Sequence, residues 1–88
     1  MVEVKATPDM RGWTCEVRVE DRGIRTRHVV RVSSADLERW GGGRPVDDLV
    51  RRSFEFLLQR EPATSILPDF DLAVIQRYFP EFDQHFGR

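Results

Sequence analysis

The sequence predicts an α+β fold, in which a three-stranded antiparallel β-meander is followed by three helices packed on one face of the sheet. Two patterns carry this prediction. Up to Val32, apolar and polar residues alternate, as expected for strands with one buried face. Beyond it, apolar residues recur at intervals of three and four, which is typical of amphipathic helices. With 88 residues, 40% of them hydrophobic, the chain is expected to form a single domain over residues 1–88.

The three predicted strands are separated by short turn signals. The first spans residues 2–7, the second Trp13–Glu20 and the third Ile24–Val32. Each alternates apolar with polar side chains, so each should bury one face against the helices. The tight turn Asp21–Gly23 joins the second strand to the third and therefore makes them antiparallel.

That turn also favours one register for the two strands. If Glu20 lies opposite Arg25, then Val17 faces His28 and the apolar side chains of both strands share the inner face. A shift by one residue would place valines beside arginines, because every side chain of a slipped strand changes face. His28 is therefore expected in the core, where leucine should be tolerated in its place.

Three helices are expected after the strands. Ser33 can cap the first helix, with Asp36 in its first turn, and Gly41–Gly43 end it. Pro45 begins the main helix, which runs to about Arg60. Its apolar arc is too wide for a three-stranded sheet to cover alone, so the last helix should cover the remainder.

The last predicted helix carries apolar residues into the tail. It begins at Asp69 or Asp71, and Pro80 ends it or starts another turn. Phe79, Phe82 and Phe86 fall on one helical face because they are spaced at three and four residues. That face either folds back over the main helix or meets a second copy of the chain. Phe82 and Phe86 are therefore the candidate residues of a homodimer interface.

The sequence gives no sign of a catalytic centre. Cys15 falls on the apolar side of a strand, and His28 and His85 lack the spacing of metal ligands. Gly41–Gly43 resembles a phosphate-binding loop only in its glycines, since the lysine and the hydroxyl residue of that motif are missing. We therefore expect no enzyme activity, no catalytic residues, no metal and no cofactor.

The segment Arg22–Arg31 holds four arginines and no acidic residue. An arginine-bearing strand followed by two helices is the order of elements in a ribbon-helix-helix repressor, whose strands enter the DNA major groove. Glu16 and Glu20 share the outer face with these arginines, however, and the net charge is −1, so a salt-paired surface is the favoured interpretation. In the alternative, nucleic-acid-binding interpretation, three outer-face residues would make the contacts: Arg25, Arg27 and Arg31.

Residues 51–82 contain a distinctive combination of three segments, SFEFLLQREP at 53–62, SIL at 65–67 and FDLAVIQRYFPE at 70–81. With these segments, this part of the chain resembles a family of small uncharacterised bacterial proteins. It implies a bacterial source. It implies no activity and no functional residue.

These observations together favour a protein of the bacterial cytoplasm, because no apolar run is long enough to span a bilayer and no signal-peptide pattern opens the sequence. The expected function is a non-catalytic protein-interaction or regulatory module, whose partner is another protein or a second copy of the chain. Membrane association is not expected, and nucleic acid is the less favoured partner. The alternative is a nucleic-acid-binding regulator that uses the arginine strand.

Overall fold

The computed structural model describes residues 1–86, which form a four-stranded mixed β-sheet with four α-helices. The α+β class predicted from the sequence is confirmed. The elements are β1 (Val2–Pro8), β2 (Gly12–Asp21), β3 (Ile24–Ser33), α1 (Ser34–Trp40), α2 (Val46–Leu58), a 3₁₀ turn (Ala63–Ser65), β4 (Asp69–Asp71), α3 (Ala73–Tyr78) and α4 (Phe82–Phe86).

The sheet has the strand order β1-β2-β3-β4, and its first three strands are the predicted antiparallel meander. Glu20 pairs with Arg25 and Val17 pairs with His28, so the predicted register is confirmed. Arg22 and Gly23 both have positive φ angles, of 54° and 80°. Such angles at both central residues give a tight hairpin turn whose twist matches that of the strands it joins.

The prediction of only three strands was wrong, because β4 pairs in parallel with β3. A loop followed by a helix start was expected at this position. Phe70, the middle residue of β4, is 5% exposed and packs against Phe54 with ring centroids 6.0 Å apart. Burial of that one ring and pairing with β3 therefore hold a strand too short to show any alternation in the sequence.

The prediction of only three helices was also wrong, because two short helices, α3 and α4, occupy the position of the last one. Phe79 ends α3 with φ −131° and ψ 83°, outside the helical region. The following residue is Pro80, whose ring disfavours helical geometry at the residue before it. The chain therefore turns at Phe79 and begins α4 in a new direction.

The predicted start of α1 is confirmed in detail. The Ser33 hydroxyl accepts a hydrogen bond from the Asp36 backbone N–H, and the Asp36 carboxylate accepts one from the Ser33 N–H. The main helix α2 ends at Leu58, slightly earlier than predicted. Ser53 lies fully buried on α2, where its hydroxyl donates to the Leu49 carbonyl at 2.7 Å.

The hydrophobic core lies between the inner face of the sheet and the helices. Phe54, at the centre of α2, is fully buried and packs against the rings of both His28 and Phe70. The charged residues of the strands lie on the opposite, outer face, which no helix covers within the described residues. Because the core occupies the inner face, the outer face and the two edges of the sheet are left for contacts with partners.

Candidate functional site

One edge of the sheet is formed by β1. Along its other side β1 pairs with β2, and the Met1 amino group donates to the Glu20 carbonyl at 2.7 Å while the Glu20 N–H donates back at 2.9 Å. Because backbone groups of successive strand residues point to opposite sides, the odd-numbered residues of β1 face β2. The amides and carbonyls of Val2, Val4 and Ala6 therefore point away from the sheet, and we call these three residues the β1 edge.

The side chains of the β1 edge are apolar and only partly covered. Val2, Val4 and Ala6 lie on the inner face, packed against the core but not fully buried. Between them, Glu3 and Lys5 are exposed on the outer face. Within residues 1–86, the β1 edge thus combines backbone hydrogen-bonding groups that have no partner strand with half-covered apolar side chains, which is the surface that strand addition requires.

The opposite side of the sheet, which we call the β3–β4 edge, is protected where β4 lies. Residues Asp69–Asp71 cover β3 from Val29 to Arg31, and both aspartates of β4 are exposed. The Arg31 guanidinium pairs with the Asp69 carboxylate at 2.6 Å and with the Asp71 carboxylate at 2.8 Å. These hydrogen bonds raise the pKa of Arg31. A strand of three residues flanked by carboxylates is a poor template for another chain.

His28 anchors the segment that leads into β4. Its Nδ1 lies 2.7 Å from the Leu67 carbonyl oxygen, and its Nε2 lies 2.8 Å from the Thr26 hydroxyl. Because a carbonyl can only accept, Nδ1 carries the hydrogen and donates it. His28 is 4% exposed, as predicted. Its two hydrogen bonds remove the basis for expecting leucine to be tolerated, since their partly buried polar partners would lose these bonds.

The arginines singled out in the sequence lie together on the outer face, but they are not equivalent. Arg31 is held by two carboxylates, and Arg25 lies 3.8 Å from Glu20. Arg27 lies opposite Arg18, and within residues 1–86 neither of them has a carboxylate within ion-pair distance. The arginine strand pairs with β2 along its whole length but with β4 only at residues 29–31, so the outward backbone groups of Arg25 and Arg27 lie beyond the end of β4.

Charges on the outer face balance. The strand residues of this face include five basic and five acidic side chains: Lys5, Arg18, Arg25, Arg27, Arg31, Glu3, Glu16, Glu20, Asp69 and Asp71. Several of them lie opposite a residue of the other sign, as Lys5 does with Glu16 and Glu3 with Arg18. The face therefore offers phosphate groups little net attraction.

The candidate interface residues of the tail have different environments. Phe82 is fully buried in its own chain, with its ring edge-on to Trp40 at 5.2 Å and to Phe56 at 5.3 Å. It belongs to the core and has no surface left for a second copy. Phe86 is partly buried, 6.1 Å from Phe56, and keeps some exposed surface.

The residues considered for chemistry do not form a reactive centre. Cys15 is fully buried on the inner face, and desolvation raises the pKa of its thiol to about 11. A thiol with that pKa stays protonated and unreactive near neutral pH. In the part of the chain that the structure describes, no three His, Cys, Asp or Glu side chains are grouped so that they could hold a metal ion.

The β1 edge was missed at the sequence level, although a signal for it exists. A meander pairs each strand with its neighbours in sequence, so the first strand lies at an edge unless a later element returns to cover it. The strand order in the structure shows that the later strand, β4, pairs with β3 and not with β1.

Comparisons with protein-family models, with curated proteins and with solved structures found no match to this chain. Across residues 1–86, none of the helices has the length and apolar composition that crossing a bilayer requires.

Proposed function

We propose that the chain is a non-catalytic protein-interaction module, and that it binds its partner by adding a partner strand to the β1 edge. The observation that carries this proposal is the outward orientation of the Val2, Val4 and Ala6 backbone groups on a seven-residue strand. Strand addition satisfies such groups with main-chain hydrogen bonds. The proposed setting is the bacterial cytoplasm, in keeping with the family resemblance and with a single, buried cysteine.

Nucleic-acid binding is less well supported than this proposal. A ribbon-helix-helix dimer needs its arginine strand to pair with a second chain, whereas β3 already pairs with β2 along its whole length and with β4 at residues 29–31. Only the outward backbone groups near Arg25 and Arg27 are left for such a pairing. The balanced charges of the outer face also oppose the alternative, because affinity for nucleic acid comes largely from uncompensated positive charge. We therefore expect no binding of mixed-sequence duplex DNA at moderate salt.

The test compares proteins captured by three tagged forms of the chain from cells that make it naturally. Val4→Pro removes an amide that points away from β2, so it blocks strand addition while it leaves the hydrogen bonds to β2 in place. Arg27→Ala changes the outer face instead. The proposal predicts that the wild type and Arg27→Ala capture the same partner and that Val4→Pro does not.

Two results would contradict the proposal. One is capture that is unchanged by Val4→Pro when circular dichroism shows the variant to be folded. The other is capture of nucleic acid that is lost in the triple variant Arg25→Ala/Arg27→Ala/Arg31→Ala, which would favour the alternative function.

A further inference from the structure

We infer that the strand added to the β1 edge is β1 of a second copy, paired antiparallel across a two-fold axis at Val4. This inference rests on the proposed function and names its partner. It joins two four-stranded sheets into one sheet of eight strands. Three independent properties of β1 support it: its backbone orientation, its charges and its apolar side chains.

The backbone of β1 matches itself in this arrangement. With Val4 opposite the partner's Val4, Val2 lies opposite the partner's Ala6 and Ala6 lies opposite the partner's Val2. All of these residues direct both their N–H and their C=O outward, so each opposed pair exchanges two hydrogen bonds. The symmetric pairing therefore satisfies every outward amide and carbonyl of Val2, Val4 and Ala6 in both copies.

The charges of β1 select the same register. Glu3 lies opposite the partner's Lys5, and Lys5 lies opposite the partner's Glu3, on the exposed outer face. Moving the axis to residue 3 would oppose two glutamates. Moving it to residue 5 would oppose two lysines and would place Val2 opposite the partner's Pro8, which has no N–H to donate.

The apolar side chains gain cover in the same register. Val2, Val4 and Ala6 are half-buried beside α2, which packs against β1 on the inner face. Pairing brings the same three side chains of the partner next to them, so an apolar row that ends at the β1 edge continues into the second copy. Burial of this row adds a hydrophobic contribution to the main-chain hydrogen bonds.

The first experiment measures mass by light scattering over a range of protein concentrations from about 1 μM to about 1 mM. The wild type is expected to form a dimer and Val4→Pro to stay monomeric with an unchanged far-ultraviolet circular dichroism spectrum. Val4→Ala is the matched control, because it shortens the side chain but keeps the outward amide. It should still form a dimer.

The second experiment tests the register and stays decisive even if Val4→Pro does not fold. Glu3→Lys opposes two lysines in a homodimer, and Lys5→Glu opposes two glutamates, so each variant alone should associate about tenfold more weakly than the wild type. Mixed together, the two variants again oppose lysine to glutamate. The mixture should therefore form a heterodimer, detected by native mass spectrometry.

The outcomes separate this inference from the proposed function. A wild type that is monomeric throughout the range overturns the inference, whereas the proposed function survives if Val4→Pro still loses a captured partner. A folded Val4→Pro variant that forms a dimer as the wild type does overturns the inference, because the copies then meet elsewhere. Charge variants that associate normally, or that fail to pair when mixed, overturn the register.

Discussion

The two edges of this sheet differ in whether a later segment of the chain pairs with the edge strand. The β3–β4 edge is covered at residues 29–31 by a segment that comes from about 40 residues further along the chain and is held by Phe70, His28 and Arg31. The strand β1 has seven residues in regular strand geometry, and no later element within the described residues covers the β1 edge. A covering element, a buried anchor and ion pairs protect one edge, while the other keeps its hydrogen-bonding groups available for a partner strand.

The largest effect is expected when the anchor of the β3–β4 edge is removed. Phe70→Ala deletes a ring that is 5% exposed and packs on Phe54, so the free energy of unfolding should fall by about 3 kcal/mol. Leu67→Ala, in the same segment, is the control, since Leu67 is 45% exposed and should cost less than about 1 kcal/mol. Urea denaturation measures both. Equal losses would mean that Phe70 does not hold β4 in place.

A smaller loss is expected when the hydrogen bonds of His28 are removed. His28→Leu leaves the Leu67 carbonyl without its donor and should lower the free energy of unfolding by about 1–2 kcal/mol. Thr26→Ala removes only the bond on the other ring nitrogen, at a half-exposed residue, and should cost less. A His28→Leu variant as stable as the wild type would show that this link contributes nothing to closing the β3–β4 edge.

How well the sequence predicts these edges depends on how far apart along the chain the contacting residues are. The register of β2 and β3 was predictable because one tight turn, at Arg22 and Gly23, fixes it locally. The strand β4 was not predictable, since it has three residues and its partner Arg31 is 40 positions away. Nothing local distinguishes such a segment from a loop until the core has formed.

The candidate site shows the same contrast between features set by neighbouring residues, which were predictable, and features set by distant residues, which were not. The sequence placed Arg25, Arg27 and Arg31 correctly on the outer face and predicted salt pairing there. It did not provide the carboxylates of β4, which neutralise Arg31 from a distant part of the chain. The burial of Phe82 could not be predicted from the sequence either, because it depends on the turn at Pro80 and on contact with Trp40. A strand edge is open when no other strand pairs with it, so it can be identified only once the complete strand order is known.

The ion pairs of the β3–β4 edge should contribute a salt-dependent effect that is smaller still. Arg31→Ala removes two carboxylate contacts and should lower the urea midpoint slightly at low salt, with the difference from wild type fading at 1 M salt. Arg27→Ala is the matched control on the same strand, and its midpoint should not fall, because Arg27 lies opposite Arg18 rather than a carboxylate. A loss in Arg31→Ala that persists at high salt would point to packing rather than charge.

The smallest effect concerns the turn that leads from β1 into β2. Hydrogen bonds from the Thr14 hydroxyl at 2.7 Å and from the Arg11 and Gly12 amides at 2.8 Å lower the pKa of Asp9 below its usual 3.8. A carboxylate with a lowered pKa stabilises the folded state fully above the unfolded value, and this contribution is lost as pH falls through the folded value.

Asp9→Asn should therefore be less stable than the wild type at pH 6, and the gap should narrow at about pH 2, well below the usual pKa of 3.8. Thermal unfolding at the two pH values measures the gap, and Asp21→Asn is a control because the Asp21 carboxylate makes no hydrogen bond within the described residues. A gap that stays constant between the two pH values would show that the charge of Asp9 is not what holds the turn.

The most direct test of the β1 edge is amide hydrogen exchange followed by nuclear magnetic resonance at low and high protein concentration. We expect the amides of Val2, Val4 and Ala6 to exchange rapidly in dilute protein and to become protected in concentrated protein, as strand pairing forms. The amides of Arg25 and Arg27, which point outward from β3 beyond the end of β4, should exchange rapidly at both concentrations. Protection that appears with concentration at Arg25 and Arg27, while Val2, Val4 and Ala6 remain unprotected, would contradict the account.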